Sequence, residues 1–313
     1  MIRPSAPLPT QDPGLGEKFT ARTQRMVNRD GTFNVRRLGP AWVRGDWYHY
    51  WVSLSWRRFG AAVLGYFTVI NALFALGYMA IGYQAGLLGA PQAAGWGEQF
   101  LDTFFFSVQT FTSVGYGVVS PKGIASGFLS SFEALAGVLT FAVVTGLVYA
   151  RFAKPTARIA FSDAAIITPP DPHTGLRRFM LRVANERSNT IIDMNVRMML
   201  SVMLPDFTRR YYMLELERST VMFFPLNWTL VHDITPESPL YELTADDLAH
   251  QNAEFIVLLR GFDDTFAQDI NARCSYTYHE LRWNHRFVRP YRTTATGETL
   301  LGMSLLSSTE VAV

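Results

Sequence analysis

Thr110-Phe111-Thr112-Ser113-Val114-Gly115-Tyr116-Gly117 is the stretch on which the reading of this 313-residue chain turns. It closes the segment Gln99–Ser120, whose helical part, roughly Phe100–Phe111, is too short for a bilayer that needs about 20 apolar residues. Long apolar runs lie on both sides of it. Phe59–Tyr83 is 25 residues without a charge, and Gly123–Tyr149 is 27 residues with one, Glu133. Each is long enough to span, and at about 1.5 Å per residue the second should tilt or protrude. The first begins too deep in the chain, and is too long, to be the apolar core of a signal peptide. Gly115 and Gly117 disfavour helix between the two runs. Non-helical backbone at membrane depth survives only inside protein or against a wet cavity. The segment is therefore expected to re-enter, descending as a short helix and returning as an extended strand.

The charges agree with this layout. Charged residues make up 17% of the chain and hydrophobic ones 49%, against about 25% charged in soluble proteins, which argues against a disordered or purely soluble chain. Residues 1–58 carry ten Lys/Arg and four acids, residues 59–150 one Lys and three acids, and residues 151–313 seventeen and nineteen. Arg57 and Arg58 flank the first run, and Arg151, Lys154 and Arg158 flank the second. The loop between the runs has only Lys122. The positive-inside rule then places both termini of a multi-pass protein in the cytoplasm. The lone Cys274 excludes an intramolecular disulfide framework and a Cys-based zinc site, and is expected to be a buried small hydrophobe. No nucleophile motif, P-loop or G-x-G-x-x-G occurs, so no enzyme, cofactor or nucleic-acid partner is expected.

Four copies of a T-V-G-Y-G segment form a potassium filter in which carbonyl oxygens replace the ion's hydration shell. On that pattern Ser113, Val114, Gly115, Tyr116 and Gly117 form the selectivity filter. K+, as permeant ion, would be held at Ser113, Val114, Gly115 and Tyr116. One chain supplies a quarter of the ring, so a C4 homotetramer is expected. Ser113 stands where Thr is usual. The hydroxyl is kept and the methyl lost, so a looser inner site is expected, with Thr112 adding a hydroxyl nearby. Tyr116 is expected to brace the strand from behind. Glu133 should face protein or water rather than lipid, either tuning cation occupancy near the filter or serving as a protonated packing partner.

The flanks carry further signals. Trp47, Tyr50, Trp51 and Leu54 fall on one helical face with an aromatic content suited to a membrane interface. Beyond Pro155 come short alternating or apolar runs: Arg158–Ile167, Arg177–Ala184, Asn195–Leu204, Arg209–Leu216, Thr229–Ile234, Glu254–Gly261, Ala272–Tyr278 and Leu281–Val288. Thr244-Ala245-Asp246-Asp247 reads as a capping box. With the filter, Ala150-Arg151-Phe152-Ala153-Lys154-Pro155, His232-Asp233-Ile234-Thr235-Pro236-Glu237-Ser238-Pro239-Leu240 and Arg282-Trp283-Asn284-His285-Arg286-Phe287-Val288, the chain over about residues 30–290 resembles the bacterial inward-rectifier potassium channels.

The resemblance implies a membrane α-helical pore, two transmembrane helices plus a re-entrant pore loop, with a C-terminal cytoplasmic all-β immunoglobulin-like sandwich. The expected division is a cytoplasmic arm (1–45), an interfacial slide helix (46–56), a pore domain (57–153; helices 57–84 and 123–152, pore helix and filter 100–118) and a β-sandwich regulatory domain (154–313). The bacterial inner membrane would be its location. Phe141, Thr145 and Tyr149, spaced by four, share a face. The resemblance makes them pore-lining, with Tyr149 at the bundle-crossing gate. Phe141 stands at the rectification position, where an acid would promote block by cytoplasmic cations, so weak rectification is expected. Gln109 stands where some relatives have Glu. Gly137 and Gly146 are read as hinges or as points of close helix packing. Arg57, Arg58, Arg151, Lys154 and Arg158 would bind anionic phospholipid or phosphoinositide. Two rival readings stay open: a weakly selective cation channel, which Ser113 favours, and a membrane-anchored β-sandwich binding module with a vestigial pore.

Overall fold

The computed structural model describes residues 10, 12–14, 25–35, 47–92, 95–153 and 157–312. The chain divides into two compact units, Leu38–Lys154 and Met1–Arg37 with Pro155–Val313.

The first unit is helical. Its elements are α1 (Trp47–Ser53), α2 (Trp56–Ile81), α3 (Tyr83–Gly86), β1 (Leu87–Leu88), α4 (Trp96–Phe111), β2 (Ser120–Pro121) and α5 (Gly123–Ala153). The most apolar windows of α2 and α5 are only 22% and 17% buried. Helices so apolar and so exposed suit a lipid environment, not the core of a soluble domain. The boundaries differ from the sequence expectation in three places. The interfacial helix stops at Ser53 because Ser55, in extended backbone, is the N-cap of α2. The first long helix ends at Ile81, not 84, where the Gly82 N–H bonds back to Tyr78 and Met79 and the chain turns away. The pore helix starts at Trp96, not near 100. Trp96, Phe100 and Phe104 stack in sequence at 5.6 and 6.2 Å, so aromatic contacts one turn apart extend the helix toward its N-terminus.

The second unit is a β-sandwich. Its strands are β3 (Ile159–Phe161), β4 (Ala165–Ile167), β5 (Arg177–Asn185), β6 (Ile191–Met203), β7 (Arg209–Leu214), β8 (Thr220–Phe224) and β9 (Asn227–Ile234). After α6 (Ala245–His250) come β10 (Glu254–Asp263), β11 (Gln268–Thr277), β12 (Leu281–Trp283), β13 (His285–Phe287), β14 (Tyr291–Thr293), β15 (Thr299–Leu301) and β16 (Thr309–Val311). One sheet has the order β11-β10-β6-β7, with β8 on the remaining length of β6. The other has the order β12-β4-β5-β3, with β9 on β5. Both contribute to one core in which Phe179 stacks on Phe255 at 4.4 Å and Cys274 is buried. The run Arg158–Ile167 is two strands rather than one, broken where the Ser162 hydroxyl donates to the Ala164 carbonyl. Leu281–Val288 is likewise broken, by Asn284 at φ 58°. The capping box forms as read, Thr244 and Asp247 bonding each other's backbone N–H.

The N-terminal arm is not a separate piece. Residues 25–35 lie on the sandwich, where the fully buried Glu254 carboxylate accepts the N–H groups of Met26 and Val27 at 2.9 to 3.1 Å. Arg25 and Arg29 both pair with Glu280.

His232, on β9, is buried. Its Nδ1–H donates to the Glu215 carbonyl at 2.5 Å and its Nε2 accepts from the Ser238 hydroxyl at 2.7 Å. Burial holds its pKa below the ordinary histidine value of 6.5. The unfolded chain therefore takes up the proton first on acidification. The contribution is complete above about pH 6.5 and drains away as pH falls below it. Denaturant titration of the protein is expected to show falling stability below that point. His232→Asn should flatten the slope even if it lowers the plateau.

Candidate ion-conduction site

The candidate filter, residues 113–117, begins where α4 ends. The Thr112 N–H bonds Val108 at 3.0 Å and the Ser113 N–H bonds Thr110 at 3.1 Å. The N–H groups of Val114 and Gly115 both converge on the Gln109 carbonyl, at 2.9 and 3.3 Å. Four successive donors are thus pinned back onto the helix end. Among the described residues no donor reaches the carbonyl oxygens of residues 113–117. These stay available to an ion, beside a helix C-terminus that itself carries partial negative charge.

The backbone here is not the extended strand expected. Ser113, Gly115 and Gly117 have φ of 59°, 52° and 81°, while Val114 and Tyr116 do not enter the left-handed region. Alternating the sign of φ undoes the up-down alternation of a strand, which lets successive carbonyls face one way. Gly115 and Gly117 supply that geometry without a Cβ penalty. Ser113 adopts it as an unbranched residue, where a β-branched one would be strained. The expected brace from Tyr116 is also absent within the chain, because its side chain is 75% exposed.

Behind the filter three helices meet. Glu133 of α5 is fully buried. It accepts the Tyr78 hydroxyl of α2 at 2.6 Å and lies against the Ser107 hydroxyl of α4. Ser107 also lies 2.9 Å from Oδ1 of Asn71. Of the two readings of Glu133, this geometry matches the packing partner. One turn on, a Cβ at Gly137 would sit 1.9 Å from the Phe111 carbonyl oxygen, so α5 touches the last turn of the pore helix backbone to backbone. Gly146 has open space around it. The sequence reading singled out Glu133 and Gly137 but missed Asn71, Tyr78 and Ser107. The available signal was Asn71, the single amide side chain within Phe59–Tyr83.

Phe141, Thr145 and Tyr149 share an exposed face of α5, at 76% and 75% exposure for the two aromatic residues. The basic residues do not behave alike. Arg57 and Arg58 are exposed on the first turn of α2. Arg151 is turned inward: its guanidinium donates to the carbonyls of Trp51 (2.7 Å), Val52 (3.2 Å) and Leu54 (2.5 Å) and stacks on Trp56 and Phe59. A helix end leaves orphan carbonyls, and α1 takes its donors from Arg151. This corrects the grouping of Arg151 with the lipid-facing cations. Arg158 is exposed near the start of the other unit, and Lys154 lies outside the described residues.

Comparison with known proteins agrees with this architecture. Residues 159–311 match the inward rectifier potassium channel C-terminal domain, and residues 65–154 match an ion channel domain. The chain is 38% identical to the inward rectifier potassium channel Kirbac3.1 of Paramagnetospirillum magnetotacticum, over 92% of this chain and 96% of that one. The chain belongs to the inward-rectifier potassium channel family. It is also 32% identical to the human ATP-sensitive inward rectifier potassium channel 14, over 90% of this chain and 68% of the human one. This family member is therefore a membrane-located potassium channel of inward-rectifier type, not an enzyme, with an all-β C-terminal domain.

The two glycines of α5 should respond oppositely to alanine. Gly137→Ala forces α5 off the pore helix and is expected to cost about 1–3 kcal/mol. Thermal unfolding should read this as a lowered midpoint, accompanied by reduced potassium flux. Gly146→Ala meets nothing and should leave stability unchanged or slightly raised.

Proposed function

We propose that four copies of the chain close around a C4 axis so that residues 113–117 form one potassium filter, with K+ held by the carbonyls of Ser113, Val114, Gly115 and Tyr116. The observation carrying this reading is the row of filter carbonyls that no donor reaches among the described residues, while the N–H groups of Val114 and Gly115 are both held by the Gln109 carbonyl. A single chain leaves Val114, Tyr116 and Val118 exposed, as expected of a part whose neighbours are copies of itself. The brace that Tyr116 lacks within the chain would come from the adjacent subunit. The motif's intact Gly115-Tyr116-Gly117 favours selective conduction over the weakly selective and vestigial-pore readings.

Phe141, Thr145 and Tyr149 would line the path on the inner side, and four Tyr149 rings would close it by sterics and dewetting. No charged side chain stands on that exposed face, so the helices offer blocking cations no attraction and rectification from this part of the pore is weak. Both termini face the cytoplasm of the bacterial inner membrane, and the β-sandwich biases the gate. Anionic lipid of the inner leaflet would engage Arg57 and Arg58, which are exposed, together with Lys154 and Arg158. Each such residue contributes about 1 kcal/mol of attraction near an anionic surface. Arg151, engaged with α1, contributes by positioning the slide helix.

The test is radioactive rubidium uptake into liposomes holding the purified protein. Uptake blocked by barium and not competed by sodium is expected, and Tyr149→Ala should raise it several-fold. Equal competition by sodium would overturn selectivity. Absence of uptake in Tyr149→Ala across several lipid compositions would overturn the channel assembly proposed here.

A further inference from the structure

The hydrogen bonds behind the filter do not balance if Glu133 is ionised. The Asn71 Nδ2 group donates to the Phe67 carbonyl at 2.7 Å, which directs Oδ1 of Asn71 at Ser107. Flipping the amide would instead set two oxygens 2.7 Å apart. Oδ1 lies 2.9 Å from the Ser107 hydroxyl, and the same hydroxyl touches Oε1 of Glu133. Ser107 owns one hydrogen and has two acceptors in reach. Tyr78 already gives its hydrogen to Oε2 of Glu133 at 2.6 Å. A carboxylate would claim the Ser107 hydrogen and leave Oδ1 of Asn71 facing a bare oxygen in a buried site. Asn71, Tyr78, Ser107 and Glu133 are all fully buried. No lysine, arginine or histidine is among the partners that Glu133 contacts.

We propose that Glu133 is held as a neutral carboxylic acid whose Oε1–H donates to Ser107, making it a positioning residue for the pore helix. The chain then runs in one direction. Tyr78 donates to Glu133, Glu133 to Ser107, Ser107 to Asn71, and Asn71 to the Phe67 carbonyl. Each of these four donors has an acceptor and no charge is left in the helix core, where an unpaired one would be costly. The run ties α2, α4 and α5 together one turn from the place where Gly137 meets Phe111. It fixes the height and rotation of the helix whose last turn holds the filter N–H groups. This assignment rests on the filter reading above for its role in conduction, but not for the protonation state.

Two measurements test it, one of them without ion flux. Infrared spectra of the reconstituted protein at neutral pH should contain a protonated-carboxyl C=O stretching band that disappears in Glu133→Gln. Its absence from the wild type, with no band lost on substitution, would overturn the proposal whether or not the protein conducts. In the uptake assay Glu133→Gln should keep rubidium flux and sodium rejection within about twofold of wild type, because glutamine still donates to Ser107 and accepts from Tyr78. Glu133→Ala, which strands Ser107 and Tyr78, should lose about tenfold. A Glu133→Gln loss as large as that of Glu133→Ala would overturn the neutral form. Uptake lost in the wild type itself, with the infrared band present, would count against the filter reading alone.

Discussion

Everything in the helical unit follows from a stretch of backbone that leaves its carbonyls unpaired. A protein normally satisfies its main chain by helix or sheet, and both use donor and acceptor together. At residues 112–115 only the N–H groups are satisfied, by the carbonyls of Val108, Gln109 and Thr110. Among the described residues no donor reaches the oxygens of residues 113–117. Such a segment has no secondary structure to hold it, so its shape depends on whatever stands behind it. Behind it the fully buried side chains Asn71, Ser107 and Glu133, one from each of the three main helices, are joined through the Ser107 hydroxyl.

The two charged side chains of α5 illustrate the same economy at its two ends. Glu133 faces protein and is hydrogen-bonded to α2 and α4. Arg151 faces α1 and completes the end of that helix. Between them the exposed face that carries Phe141, Thr145 and Tyr149 has no charge. A charge on this helix thus has a helix-joining task and none is left facing open space. Polar contacts between membrane helices are worth about 1 kcal/mol each. Their direction matters more than their sum, since each fixes one helix against another in a single rotation.

Local patterns were legible in the sequence where one element is specified by its own residues. The two long apolar runs, the filter glycines, the Thr244 capping box and most strands of the sandwich are of this kind, and so is Cys274 in the core. The failures share a cause. β8 has no alternation to read, because Met222 and Phe223 are adjacent and both exposed. The placement of residues 25–35 depends on Glu254, more than 200 residues away, and nothing near Met26 or Val27 announces it. The inward turn of Arg151 depends on the carbonyls of Trp51, Val52 and Leu54, about a hundred residues earlier. Positive charge at a membrane boundary cannot tell a lipid-facing arginine from one that caps a helix.

The filter shows how far a motif can be trusted. Gly115 and Gly117 were read for their conformational freedom, and both use it. Ser113 keeps the hydroxyl of the usual threonine and loses its methyl. Its left-handed backbone adds a second consequence, since losing the methyl of the usual threonine also removes β-branching from a position at φ 59°. The same atom that would have packed the inner site would have strained its backbone. Ser113 therefore exchanges side-chain packing for backbone ease at the inner end of the filter. That places more of the burden of holding the filter on Gln109, whose single carbonyl receives two filter N–H groups, and on the helices that keep Gln109 in place.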